Sequence, residues 1–552
     1  MRTLLGNILS VTSPRTPGRG IFEILLANRG LDGAAAEKFF HPSAADLHDP
    51  FGLPDMARAA DRVLAAREKG ERVILYGDYD VDGTSSVALL FRFMSVNGWK
   101  VSYRLPHRVL DGYGFKPKAL GGLAELGVKL VITLDCGTKD MPTISAAKKL
   151  GIDVVVIDHH AVPEIIPEDA AALVNPHRGD STYPFSGLAA SGMAFKLCHA
   201  LCVRLFGPEA GLARALEFVD IALLGTVADC MPLVDENRAI TALGLARISR
   251  SHSPALRRLF EEKADRPLDA DLVGFHIGPL INAAGRMDTP MKALKMLLSE
   301  ESGVDGILDE LRGYNDLRRA ETADAVTKAT ADCDASAPVM VWKSADARHG
   351  IVGLVAGRLA EWSGKPAVVL HDAGDKLVAS MRSPHWFSTV AFLDRLADLF
   401  VYYGGHKQAG GFTILPEKWD EFLVRSRDVA AQMSLGADTA RHLTVDMELD
   451  WREVTSKLVD QVQTMAPFGI GNAKPLFLLR GVPGQILPLG KDGKHLKIDV
   501  SGSKLRANAF GFGHHAQALS GRTSFDLVAE LGINAWRGSR TAELTVKDFV
   551  VT

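Results

Sequence analysis

Cysteine is scarce and unpatterned in this chain. The five present among 552 residues, Cys136, Cys198, Cys202, Cys230 and Cys333, include no C-x-x-C pair, which excludes a disulfide framework and suits a reducing compartment. Long hydrophobic runs are missing as well. No uninterrupted apolar stretch reaches membrane-spanning length, and the opening Met1-Arg-Thr-Leu-Leu-Gly-Asn-Ile is too polar for a secretory leader. A soluble cytoplasmic protein without a membrane partner is the expectation. Charge of one sign is also lacking: the net charge of −3 gives no global field toward a polyanion, so any anion site has to be a local groove.

What the chain does have is apolar material and alternation. With 47% hydrophobic residues it can bury several cores, about three or four domains by size. From residue 55 to 157, helical and strand patterns alternate: a helix over 55–69, a strand ending at Gly77, a helix to about 97 capped by the Gly83-Thr-Ser-Ser group, strands over 100–105, 129–134 and 153–157, and helices over 117–126 and 142–150. Several strands are continuous apolar runs, as parallel strands covered on both faces are. The fold class is therefore α/β with a doubly wound parallel sheet.

Acids fall at the ends of these runs. Asp78, Asp80 and Asp82 follow the first strand in Gly77-Asp-Tyr-Asp-Val-Asp-Gly83, Asp135 follows Val131-Ile-Thr-Leu, and Asp158-His159-His160 follows Val154-Val-Val-Ile. Asp229 closes a further apolar run. In a parallel sheet the carboxyl ends of the strands border the ligand crevice, so groups distant in sequence should converge there. The first cluster matches the start of an EF-hand loop, but the twelfth position is Leu89 where that loop needs Glu. Solvated turns and caps are the ordinary use of single acids; the coincidence of several favours hard cations. Carboxylates plus one imidazole, without thiolates, suit Mn²⁺ or Mg²⁺, and two such ions serve phosphoester hydrolysis.

These residues also carry a resemblance. Asp78-Tyr-Asp-Val-Asp-Gly, Asp135-Cys-Gly-Thr, Asp158-His-His and Gly225-Thr-Val-Ala-Asp229 resemble the ordered motifs of the DHH phosphoesterase superfamily, and Gly404-Gly-His-Lys-Gln-Ala-Gly-Gly411 resembles the signature of its DHHA1 domain. Asp111-Gly-Tyr-Gly, Asn282-Ala-Ala-Gly-Arg286-Met, His349-Gly-Ile-Val-Gly353 and Ala466-Pro-Phe-Gly-Ile-Gly-Asn472 narrow the likeness to the RecJ family, single-stranded-DNA-specific 5′→3′ exonucleases of DNA repair and recombination. The resemblance implies an N-terminal extension (1–50), a DHH domain (51–303), a connecting helix (304–335), a DHHA1 domain (336–438) and an OB-type β-barrel (439–552).

It further implies that Asp80, Asp82, Asp135, His159 and Asp229 ligate two Mn²⁺ or Mg²⁺ ions, with Asp135 bridging them. Asp78 binds directly or through water. His160 faces the scissile phosphate, and Asp135, His159 and His160 form the catalytic set. Arg286, Ser380 and Arg382 hold the 5′-terminal phosphate, and His406 contacts a phosphate near the cut. Single-stranded DNA is the implied substrate, with a single-strand-binding protein and a helicase as candidate partners. Leu280 and Met381 depart from the family pattern and bear on end binding.

The region 304–333 reads as one long helix, and 337–433 as a second α/β region. Six short strands after residue 440, with turn residues between them, fit a barrel of OB type. Lys491, Lys494, His495 and Lys497, with Lys474, Arg480 and Arg506, are its candidate phosphate contacts; Phe477, Phe510, Phe512 and Trp536 are core or stacking aromatics. Two rival functions remain open from sequence: a phosphodiesterase for short oligoribonucleotides or cyclic dinucleotides, and a non-catalytic DNA clamp.

Overall fold

Alternate residues of one central strand look in opposite directions, and both directions are apolar. In the computed structural model, Val73 and Leu75 pack with the helices Val81–Val96 and Ala190–Phe206 in one core, while Ile74 and Tyr76 pack with Phe115, Ile144 and Ala147 in another. Coverage of both faces is what a parallel sheet requires. The five strands run in the order Lys100–Arg104, Arg72–Gly77, Val128–Leu134, Asp153–Ile157, Ala172–Val174, all parallel.

The structure describes residues 1–13, 18–263, 268–490, 493–536 and 539–551. Lys491 and the side chain of Trp536 lie outside the described residues. The chain divides into two units, residues 47–231 with 235–439, and residues 1–46 with 232–234 and 440–552.

Within the first unit the helix Val304–Asp332 runs for 29 residues, about 44 Å at helical rise. Leu308 and Leu311 are buried with the parallel-sheet core, and Ala325 and Ala329 with the next one. A second five-stranded sheet follows, ordered Tyr402–Gly405, Ala409–Ile414, Leu377–Arg382, Ala367–Asp372, Met340–Ser344, antiparallel except for the last pair.

Two sequence expectations need correction here. The helix expected over 117–126 is only the 3₁₀ turn Pro117–Leu120, because Gly121 and Gly122 follow and Gly122 takes a left-handed φ of 75° that ends regular helix. The helix after the first acids begins at Val81, with Asp80 as its cap, not the Gly83-Thr-Ser-Ser group. The apolar run before Asp229 is the helix Val219–Ala228, although runs of similar length upstream are strands.

In the second unit, strands Leu476–Leu489, His495–Val500, Arg506–Ala509, Ser539–Val551 and Ser524–Trp536 close into a ring, the last pairing back onto the first. This is the expected barrel. The strand His442–Leu449 extends it in parallel, and Ile8–Ser13 extends it further by pairing with His442–Leu449. Sequence reading assigned no strand before residue 50. Leu9, Ile24 and Leu25 bury their side chains in this unit, so the N-terminal segment is part of its core.

Candidate metal centre and substrate cleft

The first acids are set by a helix start. Asp80 caps the helix Val81–Val96, its Oδ1 accepting from the N–H groups of Asp82 (2.9 Å) and Gly83 (3.1 Å), and an acid there also meets the positive end of the helix dipole. Asp82, within the first turn, accepts from Ala190 N (2.7 Å) and Ser191 N (2.8 Å), the first residues of the helix Ala190–Phe206. That approach depends on Gly225: a Cβ there would lie 2.0 Å from Asp82 Oδ1 and 2.4 Å from Ser191 Oγ.

Asp135 ends its strand with φ = 65°, a left-handed conformation uncommon for a non-glycine residue and concentrated at functional sites. Asp158 has a different job. Its Oδ1 accepts from the N–H groups of His159 (2.8 Å) and His160 (3.2 Å) and from His160 Nδ1 (2.8 Å), and its Oδ2 from Thr138 N (3.1 Å). Burial works to raise its pKa, but these bonds and the histidine charges outweigh it and hold the carboxyl well below the usual range. Asp158 therefore orients both histidines.

The predicted ligands converge. His159 Nε2 lies 3.3 Å from Asp135 Oδ1, 3.6 Å from Asp229 Oδ2 and 3.7 Å from Asp82 Oδ2. Three overlapping donor groups result, Asp78–Asp80–Asp135, Asp82–His159–Asp229 and Asp135–His159–His160, the donor atoms of each within 4.8 Å of one another. Asp135 belongs to two of them.

Left to themselves these acids repel. Burial, then the charges of neighbouring aspartates, raise Asp135 well above its ordinary value; burial and Asp80 do the same to Asp78. Burial, Asp82 and Asp80 push Asp229 to about 8, although 36% of its side chain stays exposed. Burial lowers His159 and keeps it a neutral donor, whereas Asp158 holds His160 above its usual value against burial. The Oδ1 of Asp78 is buried without a hydrogen-bond partner. Buried carboxylates with an orphaned oxygen are what a pair of hard cations would neutralise, so the donor set fits Mn²⁺ or Mg²⁺.

Asp158 and His160 also line a cleft of about 720 Å³ whose far wall comes from the second sheet. His406 sits across from His160, ring centres 6.4 Å apart. Arg286 donates to Gly350 O (2.9 Å), and Arg382 to Ser380 Oγ (3.0 Å) and Met381 O (2.8 Å). Burial and the charges of Arg108, Arg318 and Arg382 pull Arg286 down to about 9, and burial and Arg108 lower Arg382. Guanidiniums gathered this closely, in so buried a place, are short of anion. Arg108, stacked 3.9 Å over the Tyr79 ring with its buried Nε unpartnered, was missed in the sequence, yet it follows the strand Lys100–Arg104 at the same sheet edge as the acids. Tyr113, whose hydroxyl donates to Asp135 O (3.2 Å), also went unassigned. Leu280 and Met381 are both buried in cores, so neither side chain reaches the cleft.

Comparison with known proteins gives the same picture. A model of the DHH family's N-terminal domain matches residues 72–226, and one of the RecJ OB domain matches residues 445–548. The single-stranded-DNA-specific exonuclease RecJ of Bacillus subtilis is 31% identical over 540 residues, 96% of this chain and 67% of its own length. That of Salmonella typhimurium is 30% identical over 90% of each chain. The chain belongs to the RecJ family. A crystal structure of RecJ from Thermus thermophilus in complex with Mn²⁺ superposes with a TM-score of 0.83 at 29% identity, covering 96% of this chain and 76% of that one, and its Mg²⁺ complex with 0.77.

The RecJ-type barrel narrows the basic candidates. Arg480 is paired with Asp526 (2.9 Å) and Glu448 (3.3 Å), so its charge is already answered. Phe477 and Phe512 are core residues, while Phe510 is 55% exposed beside His495.

Proposed function

We propose that this RecJ-family chain degrades single-stranded DNA from the 5′ end, releasing mononucleotides by hydrolysis. Asp78, Asp80, Asp82, Asp135, His159 and Asp229 hold two Mn²⁺ or Mg²⁺ ions, with Asp135 shared. Such ions, when bound, stabilise charge building on the phosphate and acidify the attacking water. The remaining work belongs to the side chains. His160, held by Asp158 and raised by it above the usual imidazole range, faces the scissile phosphate with a ring N–H donor; His406 approaches from the opposite wall. Arg286, Arg382 and Ser380, with Arg108, grip the terminal phosphate through charge-assisted bonds.

The observation that carries this reading is one cleft lined by the donor cluster's histidine, His160, at one end and by the clustered guanidiniums of Arg108, Arg286 and Arg382 at the other. A cleft of about 720 Å³ is the size of a small-ligand site: it admits the end of a single strand and excludes a duplex. We assign the chain to the cytoplasm, in repair and recombination, with a single-strand-binding protein and a helicase as partners. Among the described residues no helix is long and apolar enough to cross a membrane. The test is a product-length time course on end-labelled single and double strands with Mn²⁺, Mg²⁺ or chelator. Mononucleotides from single strands with metal are expected; endonucleolytic fragments, or equal cutting of duplex, overturn the reading.

A further inference from the structure

Four tyrosines line the cleft, and three are engaged. Arg108 covers Tyr79, the Tyr113 hydroxyl donates to Asp135 O, and the Tyr403 hydroxyl donates to the Asp394 carboxylate at 3.1 Å. Among the described residues the side chain of Tyr402 has no hydrogen-bond, ring or cation partner, and the residue is 66% exposed.

Its surroundings are shaped for a flat ligand. Tyr402–Gly405 is the edge strand of the second sheet, and residues 402 and 404 share a face by strand alternation. A Cβ at Gly404 would meet only the Tyr402 hydroxyl, at 3.7 Å, and its φ lies outside the left-handed region. Neither packing nor backbone geometry requires glycine at 404, in contrast to Gly405, where a Cβ would come 2.4 Å from Ala409 O. Gly404 pairs with Gly411, and Gly411 with Ser380. Two strand spacings, about 10 Å, therefore separate Gly404 from the Ser380 row across a floor of bare backbone. That span matches one nucleotide laid between the guanidinium end of the cleft and His406.

We propose that Tyr402 is the stacking platform for the base of the 5′-terminal nucleotide, the one about to be released. The inference rests on the reading above, in which Arg286, Ser380 and Arg382 hold the terminal phosphate. Stacking suits the task because every base offers a π face, so grip is independent of sequence.

The test compares 5′-phosphorylated strands with strands whose 5′-terminal nucleotide keeps its phosphate and sugar but lacks the base. The wild type, with Mn²⁺, has a KM on the order of 5- to 100-fold higher for the abasic end, with a smaller change in kcat. Y402A raises KM on the intact strand to the value the wild type has for the abasic end and leaves the abasic strand's KM unchanged, and Y402F matches wild type on both. A wild type indifferent to the missing base overturns the proposal, as does Y402A raising KM by the same factor on both strands. The wild-type comparison needs no variant, so a folding defect in Y402A, read from its melting temperature, cannot mask the outcome. Failure of the wild type to shorten either strand would instead sink the nuclease reading itself.

Discussion

Asp135 meets two demands at one position: a left-handed backbone and a carboxylate common to two donor groups. Asn tolerates that backbone but carries no charge. Asp135→Asn should therefore fold normally and lose at least 10³-fold in rate, on the order expected when transition-state charge stabilisation goes; a rate within tenfold of wild type would remove Asp135 from the centre. Arg382→Ala should abolish discrimination between 5′-phosphate and 5′-hydroxyl ends, raising KM on phosphorylated strands about 10- to 100-fold, the scale of a hydrogen bond to a charged group. Loss by equal factors on both ends would point to a general charge effect.

Protonation belongs to this scale too. Burial and the charges of Asp82 and Asp80 push the Asp229 carboxyl up to about 8, against about 4 when unfolded. A raised carboxyl pKa means the folded state binds the proton more tightly, so this group's contribution to stability is lost as pH rises from about 4 towards 8. Mn²⁺ must displace that proton. Binding at pH 7 should release at least one proton, seen as a buffer-dependent heat, and the release should shrink by pH 9. In Asp229→Asn it should be smaller at pH 7; an unchanged release would show that the proton comes from elsewhere.

At the scale of elements, the site depends on helix starts and strand ends meeting. Gly225→Ala would drive a methyl into Asp82 and Ser191; overpacking of this kind costs about 1–3 kcal/mol. We expect a lower melting temperature together with weaker Mn²⁺ binding, whereas a stability loss with unaltered binding would mean that Asp82 keeps its place. Most elements around the acids were legible because parallel strands are short continuous apolar runs ending in polar turns. The run Val219–Ala228 has the same composition and folds as a helix; burial on all sides erases the periodicity that separates the two. Arg108 escaped notice because nothing in Leu105-Pro-His-Arg-Val sets it apart from a surface loop. What sets it apart in the fold is Tyr79 lying beneath it, a contact between separate strand ends. Ile8–Ser13 was unreadable for a related reason: its partner is the strand His442–Leu449, and no local pattern encodes so distant a pairing.

At the scale of the whole molecule, the two units give the truncation its proper boundaries. Removing residues from 440 onward alone would strip Ile8–Ser13 of its partner and bare Leu9, Ile24 and Leu25, leaving an unpaired apolar edge prone to association. A chain trimmed to 47–439 should be soluble and still hydrolyse short oligonucleotides, with weaker binding to long strands. A chain of residues 1–439 should aggregate on light scattering. Equal behaviour of the two would show that the N-terminal strands do not depend on the barrel.

The same pairing sets a timetable for synthesis. Ile8–Ser13 leaves the ribosome early, but His442–Leu449, which it must join, follows only after roughly 20–90 s at 5–20 residues per second. For that interval a nascent β-edge has to be kept from improper partners, so biogenesis of this enzyme should lean on a ribosome-proximal holdase in a way that the isolated 47–439 portion does not.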